Sequence, residues 1–229
     1  GGMGAVYLAD RADGAFEHRV AVKLLHADLD AEDLLGRFLA ERQILASLDH
    51  PGIARLLAIG GVSGSGKTTI SASLSPRLGP PPGALHLRSD LERKALFGVD
   101  PLEPLPQEAY RPEVSREVYA RMLAKAGAAL ASGHGAILDA TFFSRDDRMA
   151  AEALAQARGV RFDGLWLSAD PATLEARVAA RRGDASDADV AVLRRQLARA
   201  PEAGTWAAIE AGGAPEIVGA RAATALGLD

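Results

Sequence analysis

The sequence predicts an α/β fold in which a mainly parallel, five-stranded sheet carries helices on both faces. Two observations support this. Beyond residue 55, apolar runs of four to six residues alternate with longer stretches of helical periodicity, and alternating strand and helix units build parallel sheets covered on either side. In addition, Val114, Val118, Met122, Ala126 and Leu130 recur every four residues, which gives a long helix with one apolar stripe.

The elements follow in chain order. Ala5 to Ala9 and Arg19 to Leu25 are short apolar runs bracketing Ala12-Asp13-Gly14, the pattern of a hairpin. Phe38, Ile44, Leu45 and Leu48 have helical spacing until His50-Pro51-Gly52 ends the run. Further along, strands are expected at 56–60, 84–88, 136–139, 164–167 and 216–218. Helices are expected near 67–78, 90–97, 113–131, 146–157, 171–182 and 188–199. Pro80-Pro81-Pro82-Gly83 reads as a stiff loop. The chain divides by motif into segments 1–57 and 58–229, and no Pro/Gly/Ser linker marks the seam.

At 229 residues the chain suits one full domain plus something extra, or two small ones. Its 26 Lys/Arg against 30 Asp/Glu leave a net charge of −4, so it lacks the basic field that holds duplex nucleic acid or an anionic membrane. With no cysteine, thiolate zinc sites, iron–sulfur clusters, disulfides and cysteine nucleophiles are excluded. No stretch reaches the about 18 apolar residues of a membrane span, and no signal-peptide layout opens the chain. A cytoplasmic protein is expected. The opening Gly1-Gly2-Met3-Gly4 lies inside a glycine-rich loop and reads as a truncation.

Gly61-Val62-Ser63-Gly64-Ser65-Gly66-Lys67-Thr68 matches G-x-x-x-x-G-K-[ST] in full, between an apolar strand and a helix. Glycines let the backbone N–H groups of Gly61, Ser63, Gly64, Ser65 and Gly66 converge on phosphate oxygens, and the helix N-terminus adds its positive end. Lys67 would reach the outer phosphates, Thr68 would ligate Mg²⁺, and Thr69 extends the nucleotide-binding set. The strand Ala136-Ile137-Leu138-Asp139 ends in a carboxylate positioned as a second magnesium ligand.

Asp90, just after the second strand of this segment, would take the proton of an attacking hydroxyl. Its alternative is a helix cap. Arg93 shares its helical face and steers substrate or stays in solvent. Arg177, Arg181 and Arg182 precede Gly183-Asp184-Ala185-Ser186-Asp187, and helix, turn and helix with arginines suit a lid over a triphosphate. The alternative is surface arginines on amphipathic helices. Arg145 and Arg148 are further candidates for anion contact. His134 reads as a loop residue, and Trp166 and Trp206 as packing residues.

On Gly61 to Thr68, Ser89-Asp90-Leu91-Glu92-Arg93, Leu138-Asp139-Ala140-Thr141 and the run from Arg177 to Gln196, residues 58–229 resemble P-loop small-molecule kinases. They are similar to AAA-type ATP-binding domains that follow aminoglycoside-phosphotransferase-like domains, and more distantly to zeta toxins, gluconate kinases and polynucleotide kinases. The resemblance implies a P-loop NTPase three-layer αβα sandwich, with ATP and Mg²⁺ as cofactors. It implies Asp90 as base, Lys67, Arg177 and Arg181 as catalytic cations, and Arg182 at the nucleotide. It names no acceptor.

Residues 1–57 resemble the N-lobe of a bacterial serine/threonine protein kinase, a small α+β fragment. Gly1 to Val6 matches the end of its glycine-rich loop, Val20-Ala21-Val22-Lys23 its lysine strand, and Glu41 the position of its pairing glutamate. No H-R-D-x-x-x-x-N, D-F-G or A-P-E motif follows, so protein phosphorylation is not expected. Both segments claim Leu56 and Leu57, and the phosphate-loop sheet is expected to take them.

The reading is an ATP-dependent phosphotransferase acting on a hydroxyl of a small molecule. The alternatives are an ATP-binding switch that transfers nothing to a metabolite, and a nucleic-acid-end kinase, against which the net charge argues mildly. The oligomeric state is not legible.

Overall fold

The computed structural model describes residues 4–10, 19–25 and 54–228. The chain forms two units, Gly1–Leu45 and Ala46–Asp229. In the first, β1 (Gly4–Asp10) pairs antiparallel with β2 (Arg19–Leu25), with Val6 opposite Lys23. The expected helix through Phe38, Ile44, Leu45 and Leu48, its end at His50-Pro51-Gly52, the turn Ala12-Asp13-Gly14 and Glu41 all lie outside the described residues.

In the second unit β3 (Arg55–Gly60) is the middle of five strands and is buried along its whole length. It is followed by α1 (Lys67–Leu74), β4 (Leu85–Arg88), α2 (Ser89–Phe97), α3 (Pro112–Ala131), β5 (Ala136–Asp139) and α4 (Arg145–Arg158). β6 (Arg161–Ser168), α5 (Pro171–Ala180), α6 (Val190–Leu197), β7 (Ala207–Glu210) and α7 (Pro215–Ala225) complete it. The sheet order is β4-β5-β3-β6-β7, and every pairing is parallel.

Successive side chains of a strand face opposite ways, and β3 shows what that achieves. Leu56 and Ala58 pack with Leu138 against Val118, Met122 and Ala126 of α3 and Ala151 of α4. Leu57 and Ile59 pack with Ile137 and Leu165 against Ile70 and Leu74 of α1 and Val218 and Ala222 of α7. A strand with helices on both faces has no solvated side, so β3 reads as a continuous apolar run. A third cluster, Val62, Leu174, Val178 and Leu193, lies where α5 and α6 meet the phosphate loop.

One strand differs from expectation. Residues 216–218 lie inside α7, and the fifth strand is β7. Val218 and Ala222 are buried one turn apart behind Pro215 at the helix start, which is helical spacing. β7 is an edge strand whose one buried residue is Ile209; its run Trp206-Ala207-Ala208-Ile209 is apolar but half alanine, a residue depleted in strands. Helix α5 also stops at Ala180, where Arg181 turns extended, short of the expected 182.

The strand register aligns the carboxyl ends. Ile59 pairs with Asp139, and Arg88 pairs with Asp139 from the other side. In open parallel sheets ligands bind in this crevice, outside the carboxyl ends where the strand order reverses. Among the described residues no helix is long and apolar enough to cross a membrane.

Gly164 in β6 exists to admit Trp206: a Cβ there would sit 2.4 Å from the indole Cγ. That ring is 5% exposed, 5.0 Å from the Phe142 ring centroid, and donates from its Nε1 to Glu152 at 3.1 Å. Gly164→Ala is expected to lower stability by roughly 1–3 kcal/mol through overpacking, read from the midpoint of urea unfolding; an unchanged midpoint contradicts this packing.

Candidate active site

The loop from Gly61 to Thr68 joins β3 to α1. Gly61 has φ +134°, and a Cβ on it would lie 2.4 Å from the Leu167 carbonyl oxygen, so neither conformation nor space admits a side chain. Gly66 caps α1 in the left-handed region with no side-chain cap, so the first-turn N–H groups remain available at the positive end of the helix. Lys67 Nζ donates to the Val62 carbonyl at 2.8 Å. Burial pulls the Lys67 pKa below its usual value, while Asp139 and Asp90 draw it back up.

Thr68 Oγ1 donates to Asp139 Oδ2 at 2.7 Å. Asp139 is 4% exposed, and the same oxygen lies 3.1 Å from His86 Nε2 and 4.0 Å from Arg88 Nε. The pair offers a hydroxyl and a carboxylate oxygen side by side. Magnesium takes one or two such hard protein oxygens and completes its shell with phosphate oxygens and water, so the donor set fits that ion. Among the described residues no group of three or more His, Asp or Glu side chains is arranged to hold a metal, so the remaining ligands would come from nucleotide and water.

Asp90 is the second residue of α2. The helix cap is Arg88, without a side-chain bond, so Asp90 is not the cap. Burial raises its pKa above the ordinary carboxylate value, and Asp139 adds to the rise. Lys67, the Ser186 hydroxyl and Arg88 oppose it.

These groups line a cavity of about 730 Å³. Ser63, Gly64, Gly66, Lys67, Thr68 and Thr69 border it from the phosphate loop, and Arg177, Arg181, Arg195 and Gln196 from the α5–α6 region. Gln196 Oε1 accepts from Ser63 N–H at 2.7 Å. Ser65 is buried behind the loop, its hydroxyl without a partner.

The arginines separate sharply. Arg181 reaches the cavity, with Nε 3.7 Å from Asp184 and Nη1 buried without a hydrogen-bond partner among the described residues. Arg177 also lines it, but its guanidinium donates to the carbonyls of Ala211, Gly212 and Gly213 at 2.7, 3.4 and 3.0 Å. Arg182 is exposed, does not border the cavity, and folds back on the carbonyls of Ala179 and Arg181. The structure thus does not bring Arg182 together with the cavity residues: once α5 ends at Ala180, the freed carbonyls are nearer acceptors.

Arg148 is drawn into the fold, donating to Phe142, Glu202 and Ala203 carbonyls and stacking 4.5 Å from the Trp166 ring. Arg145 is exposed and His134 is a half-buried loop residue, and neither borders the cavity. Arg93 is not in solvent either: 7% exposed, it donates to the Ala109 carbonyl at 2.6 Å and lies 4.9 Å above the Tyr110 ring.

Several residues emerge that sequence patterns did not single out. His86 and Arg88 alternate along β4 and so share the face turned to Asp139, and Arg88 Nη2 continues to Asp184 at 2.6 Å. Tyr110, Ser115, Tyr119 and Asp147 wall the cavity beyond Asp90. Tyr119 is pushed up to about 12 by burial and its hydroxyl accepts from Phe142 N–H at 2.9 Å. Phe142 holds φ 51°, a sparsely populated conformation for a side-chain-bearing residue.

Residues 56–203 match the family described as an AAA domain, and the chain belongs to that family. Residues before 56 lie outside the match. No curated protein matches the chain. Among solved structures it is similar to a sugar kinase from Janibacter sp. HTCC2649, at 22% identity over 76% of this chain and 95% of that one, TM-score 0.53. A gluconokinase from Sinorhizobium meliloti 1021 aligns at 20% identity over 77% and 92%, TM-score 0.51. The Mycobacterium tuberculosis APS kinase, solved with AMPPNP and APS, aligns at 15% identity over 77% and 99%, TM-score 0.54. What these structures share with the chain is the fold.

The raised pKa of Asp90 has a sign for stability. A carboxylate held above its unfolded value costs the fold nothing at pH values below that value, and the cost grows as pH rises through the folded pKa. Asp90→Asn is therefore expected to raise the melting temperature at pH 7 and to leave it unchanged near pH 3, measured by calorimetry at both pH values; a lower melting temperature at pH 7 would refute the assignment.

Proposed function

We propose that residues 58–229 transfer the γ-phosphoryl group of ATP to a hydroxyl of a small molecule. The observation that carries this reading is the convergence on one cavity of Lys67, of Asp90, and of Thr68 bonded to Asp139. The P-loop kinase fold supports it.

Backbone N–H groups of Gly64 and Gly66 and of the start of α1 receive the phosphates, with Lys67 leaving the Val62 carbonyl and Ser63 N–H leaving Gln196 to join them. Thr68 and Asp139 would hold magnesium, which when bound draws charge from the phosphate oxygens. The acceptor hydroxyl oxygen forms a bond to the γ-phosphorus as the bond from that phosphorus to the β,γ-bridging oxygen breaks. ADP departs with the bridging oxygen and its electron pair, and the hydroxyl proton passes to the Asp90 carboxylate. The unpartnered Nη1 of Arg181 is available to the charge that develops.

Asp90→Asn is expected to bind ATP with unchanged affinity and to lose roughly 10²–10⁴ of the transfer rate, the usual contribution of a general base. A coupled ADP-release assay over sugars, nucleosides and aminoglycosides provides the measurement. Transfer by the variant at the rate of the unaltered chain rejects Asp90 as base. Because Asp90 must be ionised and its pKa is raised, kcat/KM is expected to fall as pH drops through values above the ordinary carboxylate range. A profile flat down to pH 4 contradicts this.

A further inference from the structure

The cavity has a second end, beyond Asp90, where α2, α3, the 3₁₀ turn Gln107–Tyr110 and the β5–α4 connection meet. Its charges are uneven. Lys94, 1% exposed, is neutralised beneath the wall by Asp187 at 2.7 Å and also donates to the Glu103 carbonyl. Asp187 in turn accepts from Leu105 N–H at 3.0 Å and from the Tyr110 hydroxyl at 2.5 Å. Arg93, which borders this end from α2, gives Nη1 to Ala109 and Nη2 to Ser115 at 3.3 Å and lies against Tyr110. Lys125 and Arg121 of α3 face Glu92, at 2.6 and 3.8 Å.

The anionic side is not balanced in this way. Asp147 borders the same end, half-buried, and its carboxylate has no hydrogen-bond or ion-pair partner among the described residues. Asp90 stands at the junction with the phosphate end. The rest of the polar lining is neutral: the Gln107 amide and the hydroxyls of Ser115, Tyr119 and Ser144.

We infer that the phosphoryl acceptor is an uncharged polyhydroxyl compound, and that Asp147 is the residue that selects it over anions. The inference rests on the phosphotransferase reading and deepens it. A carboxylate or phosphate carried at this end would lie against Asp147, whose carboxylate has no ion-pair partner among the described residues, while the Arg93 guanidinium beside it is already held by Ala109, Ser115 and the Tyr110 ring, and like charges in contact across a binding surface disfavour the ligand. Hydroxyls instead donate to the open Asp147 carboxylate and both donate to and accept from Gln107 and the serines, which is how a polar pocket selects its ligand. A nucleic-acid end, which brings its own phosphates, falls in the rejected class.

The test uses matched acceptors with the full chain and Mg-ATP: glucitol against gluconate, which differ by a hydroxymethyl in place of a carboxylate, and adenosine against 3′-AMP. Phosphorylated product is read by mass spectrometry and rate by ADP release. In at least one pair the neutral member is expected to exceed the anionic one by about a hundredfold in kcat/KM. Asp147→Asn and, separately, Gln107→Lys should each narrow that ratio by about tenfold with the KM for ATP unchanged. Preference for an anionic member, or a ratio unmoved by both substitutions, overturns the inference. If AMPPNP binds but neither a pair member nor any compound of the wider sugar, nucleoside and aminoglycoside panel is phosphorylated, the phosphotransferase reading fails, and calorimetric binding of the same pairs to the AMPPNP-loaded chain decides the charge preference. Binding of a neutral member alone sustains it; binding of an anionic member, or of none, overturns it.

Discussion

A single buried carboxylate organises the crevice. Asp139 ends β5 with almost no exposure, and its Oδ2 meets the Thr68 hydroxyl from the phosphate loop and the His86 ring and Arg88 guanidinium from β4. Burying such a charge is tolerable only when it is surrounded by donors, and the parallel register delivers them: Arg88 pairs with Asp139 along the ladder and Ile59 with it on the other side. The phosphate loop is thereby fastened to the sheet at two points, through β3 and through Thr68. From Arg88 the chain of contacts continues to Asp184 and Arg181, so the same carboxylate is linked to the connection between α5 and α6.

That connection lies across β4 and α2 with matched spacing. Asp184 meets Arg88, Ser186 meets Asp90, and Asp187 meets Lys94. Burial works to raise the pKa of both aspartates, and their hydrogen bonds more than offset it: Arg88 chiefly for Asp184, and Lys94, Tyr110 and Leu105 for Asp187. One short turn thus addresses the metal-side carboxylate, the candidate base and the wall of the second end. Arg177 ties the preceding helix to the β7–α7 connection through three carbonyls, so the region is braced at both ends.

Much of this was legible in the sequence where a periodic pattern and a physical requirement coincide. The alternation of Leu56 to Ile59, the stripe from Val118 to Leu130 and the strand–loop–helix context of Gly61 to Thr68 each follow from one rule. Asp139 and Asp90 could be brought to one crevice because parallel strands deliver their carboxyl ends together. The pattern failed where the deciding contact is distant along the chain. β7 lies in the apolar run Trp206 to Ile209, but its two alanines favour helix as readily as strand, while Val218 in a short Glu-Ile-Val run imitated a strand. Arg182 and Arg181 are adjacent and chemically identical, yet the end of α5 sends them to opposite destinations. His86 carried no signal beyond its alternation with Leu85 and Leu87, since its partner is 53 residues away.

The segment from Gly98 to Arg111 contributes only Ala109 to the buried apolar set, and hangs from a few polar hooks: Lys94, Asp187 and Arg93. Gly98 and Arg111 at its two ends cap α2 and α3, and the residues between them, Ala109 apart, bury no side chain. The length and chemistry of this wall can therefore change while Asp139, the phosphate loop and the three packed layers stay intact, so that on the proposed reading recognition of an acceptor is physically separable from the groups that hold the phosphates.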